Sequence, residues 1–504
     1  MTTQTAQNDH TATTSPDEDR SRWMALVVLC IGMLMIVLDV TVVNVALPTI
    51  QDDLGFSQSN LAWVVNAYLI AFGGLLLLAG RLGDLISRRG VFLAGIGVFT
   101  LASLACGLAQ SQEMLIIARF VQGIGGAMTS AVILGMIVTM FPEPGEQAKA
   151  IGVYGFVASA GGAVGLLVGG VLTQAINWHW IFFVNIPIGI ATAVFAIRLI
   201  SKDKGIGVAG GADVLGAVLV TSSLMLVVYT IVGPAAELGW GAGRTLALGA
   251  ASLVLLGLFI AREATARNPL VPLRIFRSRN VSGSNVIQVV AVAGMFGTFF
   301  MGALYLQNVL GYDALQTGLA FLPATVIMGV LALGVSHKLV MRFGAKATLL
   351  PALGMIVLAL LAFTLAPVDG QYIQHLLPVM VLLGVGAGLA FPTLMVLAMS
   401  GATPSDAGLA SGLVNTTGQV GGALGLAVLA TLAATRTGDL SAAGEPLNVA
   451  LNGGYHLAFM IGAVLVVAAI VVGFFVLESE KSAAPEAETA PAAAPTRRAL
   501  TEAA

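Results

Sequence analysis

The chain has 504 residues, of which 57% are apolar and only 10% charged, and its mean hydropathy is +0.94. A soluble domain carries about 25% charged residues, so this composition excludes a soluble fold with a single anchor and predicts a polytopic membrane protein. The net charge of −2 comes with no large basic cluster that would indicate nucleic-acid binding. Cys30 and Cys106 lie in apolar segments, which predicts packing rather than a disulfide or metal site.

Fourteen apolar segments follow one another along the chain, each long enough for a bilayer core of about 30 Å. Residues 1–22 before them are polar and acidic and are predicted to be disordered, and no signal-peptide pattern precedes the first segment. Residues 478–504 after them form a tail of Ala, Pro, Glu and Thr, which we also expect to be disordered. The predicted spans cover about 24–48, 61–79, 91–109, 113–140, 150–173, 178–200, 212–233, 244–262, 283–306, 316–337, 347–366, 373–399, 407–434 and 454–477.

Basic residues are concentrated on one side of this arrangement. Of the 23 lysines and arginines, only Arg119, Arg244 and Arg436 lie outside the loops and tails that share a side with the two termini. The positive-inside rule therefore places both termini in the cytoplasm and the chain in the plasma membrane. The same asymmetry supports an even number of spans.

An internal repeat divides the chain into two halves. Gly161-Gly162-Ala163-Val164-Gly165-Leu166 recurs 260 residues later as Gly421-Gly422-Ala423-Leu424-Gly425-Leu426, and Gly123-Ile124-Gly125 recurs as Gly384-Val385-Gly386. We predict an N-terminal six-helix bundle over 23–200, a connection with two extra membrane helices over 201–282, and a C-terminal six-helix bundle over 283–477. Parallel repeats of this kind suit a transporter with a midplane site between the halves. The two extra helices carry no deep charge, so we expect them to lie at the periphery without contacting substrate.

Asp39 lies inside the first apolar segment, which is otherwise almost free of charge. A carboxylate at that depth costs about 2.5 kcal/mol or more and is by default a functional residue. The alternative is an aspartate that only hydrogen-bonds a neighbouring helix.

Arg119 is the partner that we predict for Asp39. Helices rise 1.5 Å per residue, so Asp39 in the first helix and Arg119 in the fourth are placed at similar depths, and Gln122 shares the helical face of Arg119. A neighbouring arginine favours a carboxylate, whereas burial favours the neutral acid, so the pair is a candidate for proton coupling. The alternative is an arginine that only holds the first and fourth helices together.

Several motifs resemble those of a known family. Gly80-Arg81-Leu82-Gly83-Asp84-Leu85-Ile86-Ser87-Arg88-Arg89 resembles the loop motif of the major facilitator superfamily, with Ser87 where the family pattern has Gly. The stretches Leu38–Pro48, Arg119–Gly126 and Trp178–Pro187 resemble motifs of its fourteen-span drug:proton antiporters. The fifth-helix stretch Gly165–Gly170 lacks the family's proline.

The resemblance implies an all-α major facilitator fold with 14 transmembrane helices. It implies a proton-coupled exporter of lipophilic or amphipathic drugs or antibiotics, with the small molecule, protons and the bilayer as its partners. We expect a monomer without cofactor, metal or bound nucleic acid. The alternative transport function is proton-coupled import of a small metabolite. No HExxH, GxSxG or P-loop motif favours a membrane enzyme.

The loop motif is predicted to form a gate. Gly80, Asp84, Arg88 and Arg89 lie at a junction between helices, where their charges can pair with a helix end of opposite dipole. The alternative is that the arginines only enforce membrane topology. Met341 replaces Asp84 in the second copy of the loop, which predicts a weaker gate there.

Polar and aromatic side chains that recur at helical spacing are the candidates for substrate contact. Aromatic and Met surfaces adapt to varied apolar ligands, although such stripes also serve plain helix packing. The second half contains no deep carboxylate, which favours neutral or weakly cationic amphipathic substrates. The candidates are Trp63, Asn66, Gln122, Gln288, Phe296, Asn415 and Gln419.

Overall fold

The computed structural model describes residues 16–205, 207, 211–400 and 407–478. Within these ranges the chain forms helices and no strand. The fourteen long helices are α1 Pro16–Leu54, α2 Asn60–Leu85, α3 Arg88–Gly107, α4 Gln112–Met140, α5 Pro144–Ala175, α6 Trp180–Leu199, α7 Val214–Leu238, α8 Gly243–Thr265, α9 Arg279–Val309, α10 Ala314–Phe343, α11 Ala345–Phe363, α12 Tyr372–Ser400, α13 Ala407–Ala442 and α14 Leu447–Val476.

Each predicted apolar segment coincides with one of these helices. In the described part of the chain, 13 helices are long and apolar enough to cross a membrane, and the apolar stretch of α5 comprises Val164–Ala175. The protein is therefore a multi-pass, all-helical membrane protein. The number of fourteen spans stays a prediction.

The first helix is longer than its apolar segment. It begins at Pro16, so residues 16–22 are helical, whereas the sequence analysis expected disorder over all of 1–22. An apolar pattern marks only the part of a helix that lies in lipid, which explains the difference. Residues 1–15 and 479–504, the rest of the two predicted disordered ends, lie outside the described residues.

The helix packing follows the internal repeat. Within the first half, α3 packs on α4, α2 on α4, α1 on α5 and α6, and α3 on α6. The same five pairings recur in the second half between α11 and α12, α10 and α12, α9 and α13, α9 and α14, and α11 and α14. Two bundles of one design therefore face each other.

Glycines on α4 let this helix approach its neighbours closely. A Cβ added at Gly123 would overlap the carbonyl of Tyr68 on α2, and one added at Gly125 would overlap the backbone of Phe99 on α3. Small residues allow such backbone contact between membrane helices. The close approach places the polar face of α4 against α1, α2 and α3.

We call the face of the protein with the start of α1 and the end of α14 the terminal side, and the other face the opposite side. Toward the opposite side, α5 packs on α10 and the Gln307 amide of α9 donates to the Val45 carbonyl of α1 at 2.9 Å. Nearer the terminal side, α2 packs on α13, where Gly412 contacts Leu77. Helix α7 packs on α2 and α13, and α8 packs on α7.

Candidate functional site

Asp39 and Arg119 form an ion pair in the interior of the first bundle. Their residues are 2% and 1% exposed, and α1 and α4 contribute one each. The two residues, which their depths in the helices predicted to be neighbours, are therefore in contact. Of the ion pairs in the described residues, this one alone has both side chains fully buried.

Amide and hydroxyl groups complete the hydrogen bonding around the pair. Gln122 Nε2 donates to Asp39 Oδ1 at 2.7 Å and to Ser103 Oγ at 2.8 Å, and Gln122 Oε1 accepts from Arg119 Nη1 at 2.7 Å. Asn185 Nδ2 of α6 donates to Asp39 Oδ1 at 3.2 Å. Both carboxylate oxygens of Asp39 thus have donors, which buried charges require.

The guanidinium of Arg119 is held on its other sides by α2 and α6. Its Nε donates to the Val64 carbonyl at 2.9 Å, and its Cζ lies 4.6 Å from the ring centroid of Tyr68 and 5.7 Å from that of Phe182. Protonation of Asp39 would leave the charge of Arg119 buried without its counter-ion, which favours a rearrangement of the helices that enclose the arginine. The site therefore links the charge of one carboxyl group to the packing of α1, α2, α4 and α6.

The loop between α2 and α3 contains a second charged cluster, which is half-exposed. Asp84 accepts from Arg88 at 2.9 and 3.0 Å, and Arg88 Nη1 donates to the Gly135 carbonyl at 3.1 Å and to Thr139 Oγ1 at 2.9 Å. Gly80, on the same turn of α2, contacts Ala131. The motif thus fixes the terminal-side ends of α2, α3 and α4 to one another.

Asp203, which follows α6, is an additional partner of this loop. It accepts from Ser87 Oγ and the Arg88 N–H, both at 2.6 Å, and from the Arg89 N–H at 3.2 Å. Partial burial opposes ionisation, but these hydrogen bonds outweigh it and lower the pKa of the Asp203 carboxyl below its ordinary value. Arg89 Nη2 donates to the Ile197 carbonyl at the end of α6 at 2.6 Å. The connection between the halves is therefore fixed to the loop motif.

A sequence model described as "Major Facilitator Superfamily" matches residues 29–426. The chain belongs to the major facilitator superfamily. It is 37% identical over 480 residues to the puromycin resistance protein of Streptomyces alboniger, and the aligned region covers 94% of each chain. It is 38% identical over 433 residues to the cephamycin export protein of Amycolatopsis lactamdurans, and the aligned region covers 85% of this chain and 88% of the other.

Two solved transporter structures share this fold. A bacterial homologue of the human lysosomal transporter Spinster superposes with a TM-score of 0.66 at 16% identity, covering 92% of this chain and 97% of that one. A nucleoside transporter superposes with a TM-score of 0.63 at 12% identity, covering 91% of this chain and all of the other. At these identities the comparison shows the fold alone.

The predicted substrate residues of this superfamily member do not form one cluster. Gln122 belongs to the Asp39 site. Three others line the seam of α2, α9 and α13: Gln288 lies against Gly418, Phe296 against Gly422, and Gln419 against Gly73.

The remaining substrate candidates lie on α2 and α13. Asn66 is fully buried, and neither polar atom of its amide has a hydrogen-bond partner among the described residues, so this amide is left with unused hydrogen-bonding capacity. Trp63 is half-buried and lies near Phe120 of α4 and Met225 of α7. Asn415 is exposed on α13.

Three polar residues of the two clusters were not identified from the sequence. Asn185 lies within the Trp178–Pro187 motif and could have been found by asking which polar side chain of that motif reaches the depth of Asp39. Ser103 has no such signal, because a lone serine in an apolar helix is common. Asp203 is separated from Ser87 by 116 residues, and only the fold brings them together.

Proposed function

We propose that this membrane protein is a proton-coupled exporter of lipophilic or amphipathic antibiotics. The observation that carries the proposal is the buried Asp39–Arg119 pair with its network of neutral donors. The names of the relatives, a puromycin resistance protein and a cephamycin export protein, support the substrate class and the direction of transport.

In the proposed cycle, Asp39 is the group that takes up and releases the proton. Arginine keeps its proton at cellular pH, so protonation changes the charge of the pair only through Asp39. Outside the cell, proton uptake neutralises Asp39, weakens its pairing with Arg119 and lowers the affinity for substrate. Inside, proton release restores the pair and the substrate-binding conformation.

The membrane potential is sufficient to drive this cycle uphill. Moving one charge through 100 mV is worth about 2.3 kcal/mol, which supports a roughly fifty-fold substrate gradient. We propose that Asp84, Arg88 and Arg89 open and close the terminal-side gate. Asn66, Gln288, Phe296 and Gln419 are the proposed substrate contacts at the seam between the halves.

The basic loops support an orientation with both termini in the cytoplasm and a location in the plasma membrane. We assign residues 23–200 and 283–477 to the two moving bundles and 201–282 to their connection. The protein is proposed to act as a monomer, because the coupling site is complete within the first bundle of one chain.

Proton release on substrate addition tests the coupling. Puromycin is added to purified protein in weakly buffered solution, and the pH is followed for wild type, Asp39→Asn and Asp53→Asn. Asp53 lies on the same helix but outside the pair, where it accepts from Trp178. We expect release from wild type and Asp53→Asn and none from Asp39→Asn. Equal release from all three would place the coupling group elsewhere.

Transport itself is measured in everted vesicles with an imposed pH gradient. Wild type should accumulate puromycin and Asp39→Asn should only equilibrate it. Loss of puromycin from preloaded everted vesicles, driven by the same pH gradient, would favour the import alternative.

A further inference from the structure

The segment between α8 and α9 is short and basic. Residues 264–278 contain Arg267, Arg274 and Arg277 and no acidic residue. The segment joins the end of α8 to the start of α9, both on the terminal side. It therefore lies at the level where the hydrocarbon core of a bilayer gives way to the lipid headgroups.

Buried apolar residues fix this segment to both bundles. Leu270 and Ile275 belong to an apolar cluster that also contains Leu78 of α2 and Leu413 of α13. The Val271 N–H is held as well, because it donates to a carboxylate oxygen of α8 at 2.8 Å. The segment thus has a defined position at the terminal-side end of the seam between α2 and α13.

A 3₁₀ turn within the segment sorts its side chains by chemistry. The turn begins at Leu273 and ends at Arg277, and side chains three residues apart eclipse one another in such a turn. Leu273 therefore aligns with Phe276, and Arg274 aligns with Arg277. Ile275 between them is buried. The turn has an apolar edge (Leu273 and Phe276), a basic edge (Arg274 and Arg277) and a side that anchors it to the protein.

The apolar edge is left open by the protein. Leu273 and Phe276 are 40% and 39% exposed, and transfer of such side chains from water to an apolar environment is favourable. Amphipathic segments bind membrane surfaces with their apolar side chains at the boundary of the acyl chains and their basic side chains among the headgroups. The apolar edge is therefore suited to contact with acyl chains.

The basic edge offers donors to an anion. In the described residues no carboxylate lies within ion-pair distance of Arg277, whereas Arg262 and Arg279, on either side of the segment, pair with Asp213 and Glu478. Guanidinium groups form bidentate hydrogen bonds with phosphate. An edge with two of them favours a lipid of net negative charge over phosphatidylcholine, whose choline cation they repel.

We propose that this turn is a binding site for an anionic phospholipid, with Arg274 and Arg277 at the phosphate and Leu273 and Phe276 against the acyl chains. The two edges select this occupant together. A soluble anion would leave the apolar edge in water, and a lipid without net charge would not neutralise Arg277. The site is separate from the coupling pair and does not depend on which molecule is transported.

Local quenching by lipid tests the apolar edge. Phe276→Trp places a fluorophore on the turn of the full-length protein in nanodiscs, and its emission is the difference between this variant and wild type, which has five other tryptophans. Phosphatidylcholine with brominated acyl chains should quench this emission. Emission that brominated chains leave unchanged would place the turn outside the bilayer and overturn the proposal.

The same fluorophore measures the preference for anionic lipid. Brominated phosphatidylglycerol and brominated phosphatidylcholine are compared at a low mole fraction in unlabelled phosphatidylcholine. We expect the association constant of the anionic lipid to be about fivefold higher or more, and the difference to shrink at high salt, which screens the charges. Equal association constants at low salt would reject the site.

Two double variants separate the basic edge from the general charge of the terminal side. Arg274→Gln/Arg277→Gln, combined with Phe276→Trp, should bring the preference to within roughly twofold of unity. Arg198→Gln/Lys202→Gln removes two exposed charges from the same side, at the end of α6, and should leave the preference intact. A preference that survives the first variant, or falls equally in both, overturns the proposal. Equal melting temperatures show that both variants are folded, and the salt-dependent preference of the protein with all its arginines provides a test that needs neither variant.

Discussion

The loop between α2 and α3 and the loop between α10 and α11 occupy equivalent places in the two bundles, yet they are built differently. In the first, Asp84 and Arg88 pair and Arg88 reaches the end of α4. With the offset of 257 residues between the loops, the corresponding positions in the second are Met341, whose side chain is 69% exposed, and Ala345.

One basic residue performs the same task in both loops. Arg89 donates to a carbonyl at the end of α6, and its counterpart Lys346 donates to the Phe474 and Leu477 carbonyls at the end of α14, both at 2.7 Å. A cation at a helix C-terminus satisfies free carbonyls and complements the helix dipole. Both bundles thus have the basic contact that supports the fold, whereas the ion pair of Asp84 and Arg88 is found in the first loop and its positions in the second are Met341 and Ala345.

The bundle interiors differ in the same way. With the offset of 261 residues that relates Gly123 to Gly384, the counterpart of Arg119 is Met380, which is fully buried. The first bundle therefore holds a charge pair at the depth where the second holds an apolar side chain. We infer that energy coupling belongs to the first bundle and that the second supplies a neutral surface for the substrate.

Arg119→Met, which gives the first bundle the residue of the second, should have the largest effect. It leaves the buried carboxylate of Asp39 without its counter-ion, at a cost of about 3–5 kcal/mol, and we expect no uphill efflux and a markedly lower Tm. The control is Met380→Leu, an exchange of similar volume that costs less than about 1.5 kcal/mol. Efflux from vesicles and thermal melting are measured at matched expression. Normal efflux by Arg119→Met would remove the distinction between the bundles.

The two loops are compared by the same substitution at equivalent positions. Asp84→Asn removes the charge that holds Arg88, so we expect efflux to fall by about tenfold or more, equivalent to about 1.4 kcal/mol or more on the transport barrier. Met341→Asn, on an exposed side chain, should change efflux by less than about twofold, within the small range of ordinary surface substitutions. Similar losses in both variants would mean that the two loops act alike, and full efflux by Asp84→Asn would mean that the carboxylate is dispensable.

The contact that the loops share should respond equally in both. Arg89→Gln and Lys346→Gln each remove a charged donor from a helix end, and a hydrogen bond to a charged group contributes about 1.5–3 kcal/mol. We expect similar decreases in Tm in the two variants. A large difference in Tm between the variants would show that the two helix ends are not equivalent after all.

The smallest effect expected is the pH dependence of the Asp203 contact with the first loop. Because folding lowers the pKa of this carboxyl, the contact is complete at neutral pH and is lost only as the pH falls below the ordinary value of about 4. The difference in Tm between wild type and Asp203→Asn should be constant from about pH 7 to pH 5 and shrink below about pH 4. A difference that already disappears near pH 6 would contradict this assignment.

The sequence predicted features that depend on local pattern or on depth in the membrane. Apolar length located the helices, and the rise per residue brought Asp39 and Arg119 together. The contacts of Asp203 with Ser87 and of Asn185 with Asp39 join residues 116 and 146 positions apart, and no periodicity encodes them. The position of Trp63 near α7 depends on how α7 packs against α2, which is a property of the tertiary structure alone.

The sequence separation of Asp39 from its partners also sets the order in which the ion-pair site is assembled during synthesis. Arg119 is synthesised 80 residues after Asp39 and Asn185 146 residues after it. At a synthesis rate of about 5–20 residues per second, Arg119 is added roughly 4–16 s after Asp39. During that interval α1 carries a carboxyl group that lipid solvates poorly. We therefore expect α1 to stay beside the insertion machinery until α4 arrives, so that the first bundle leaves it as a unit rather than helix by helix.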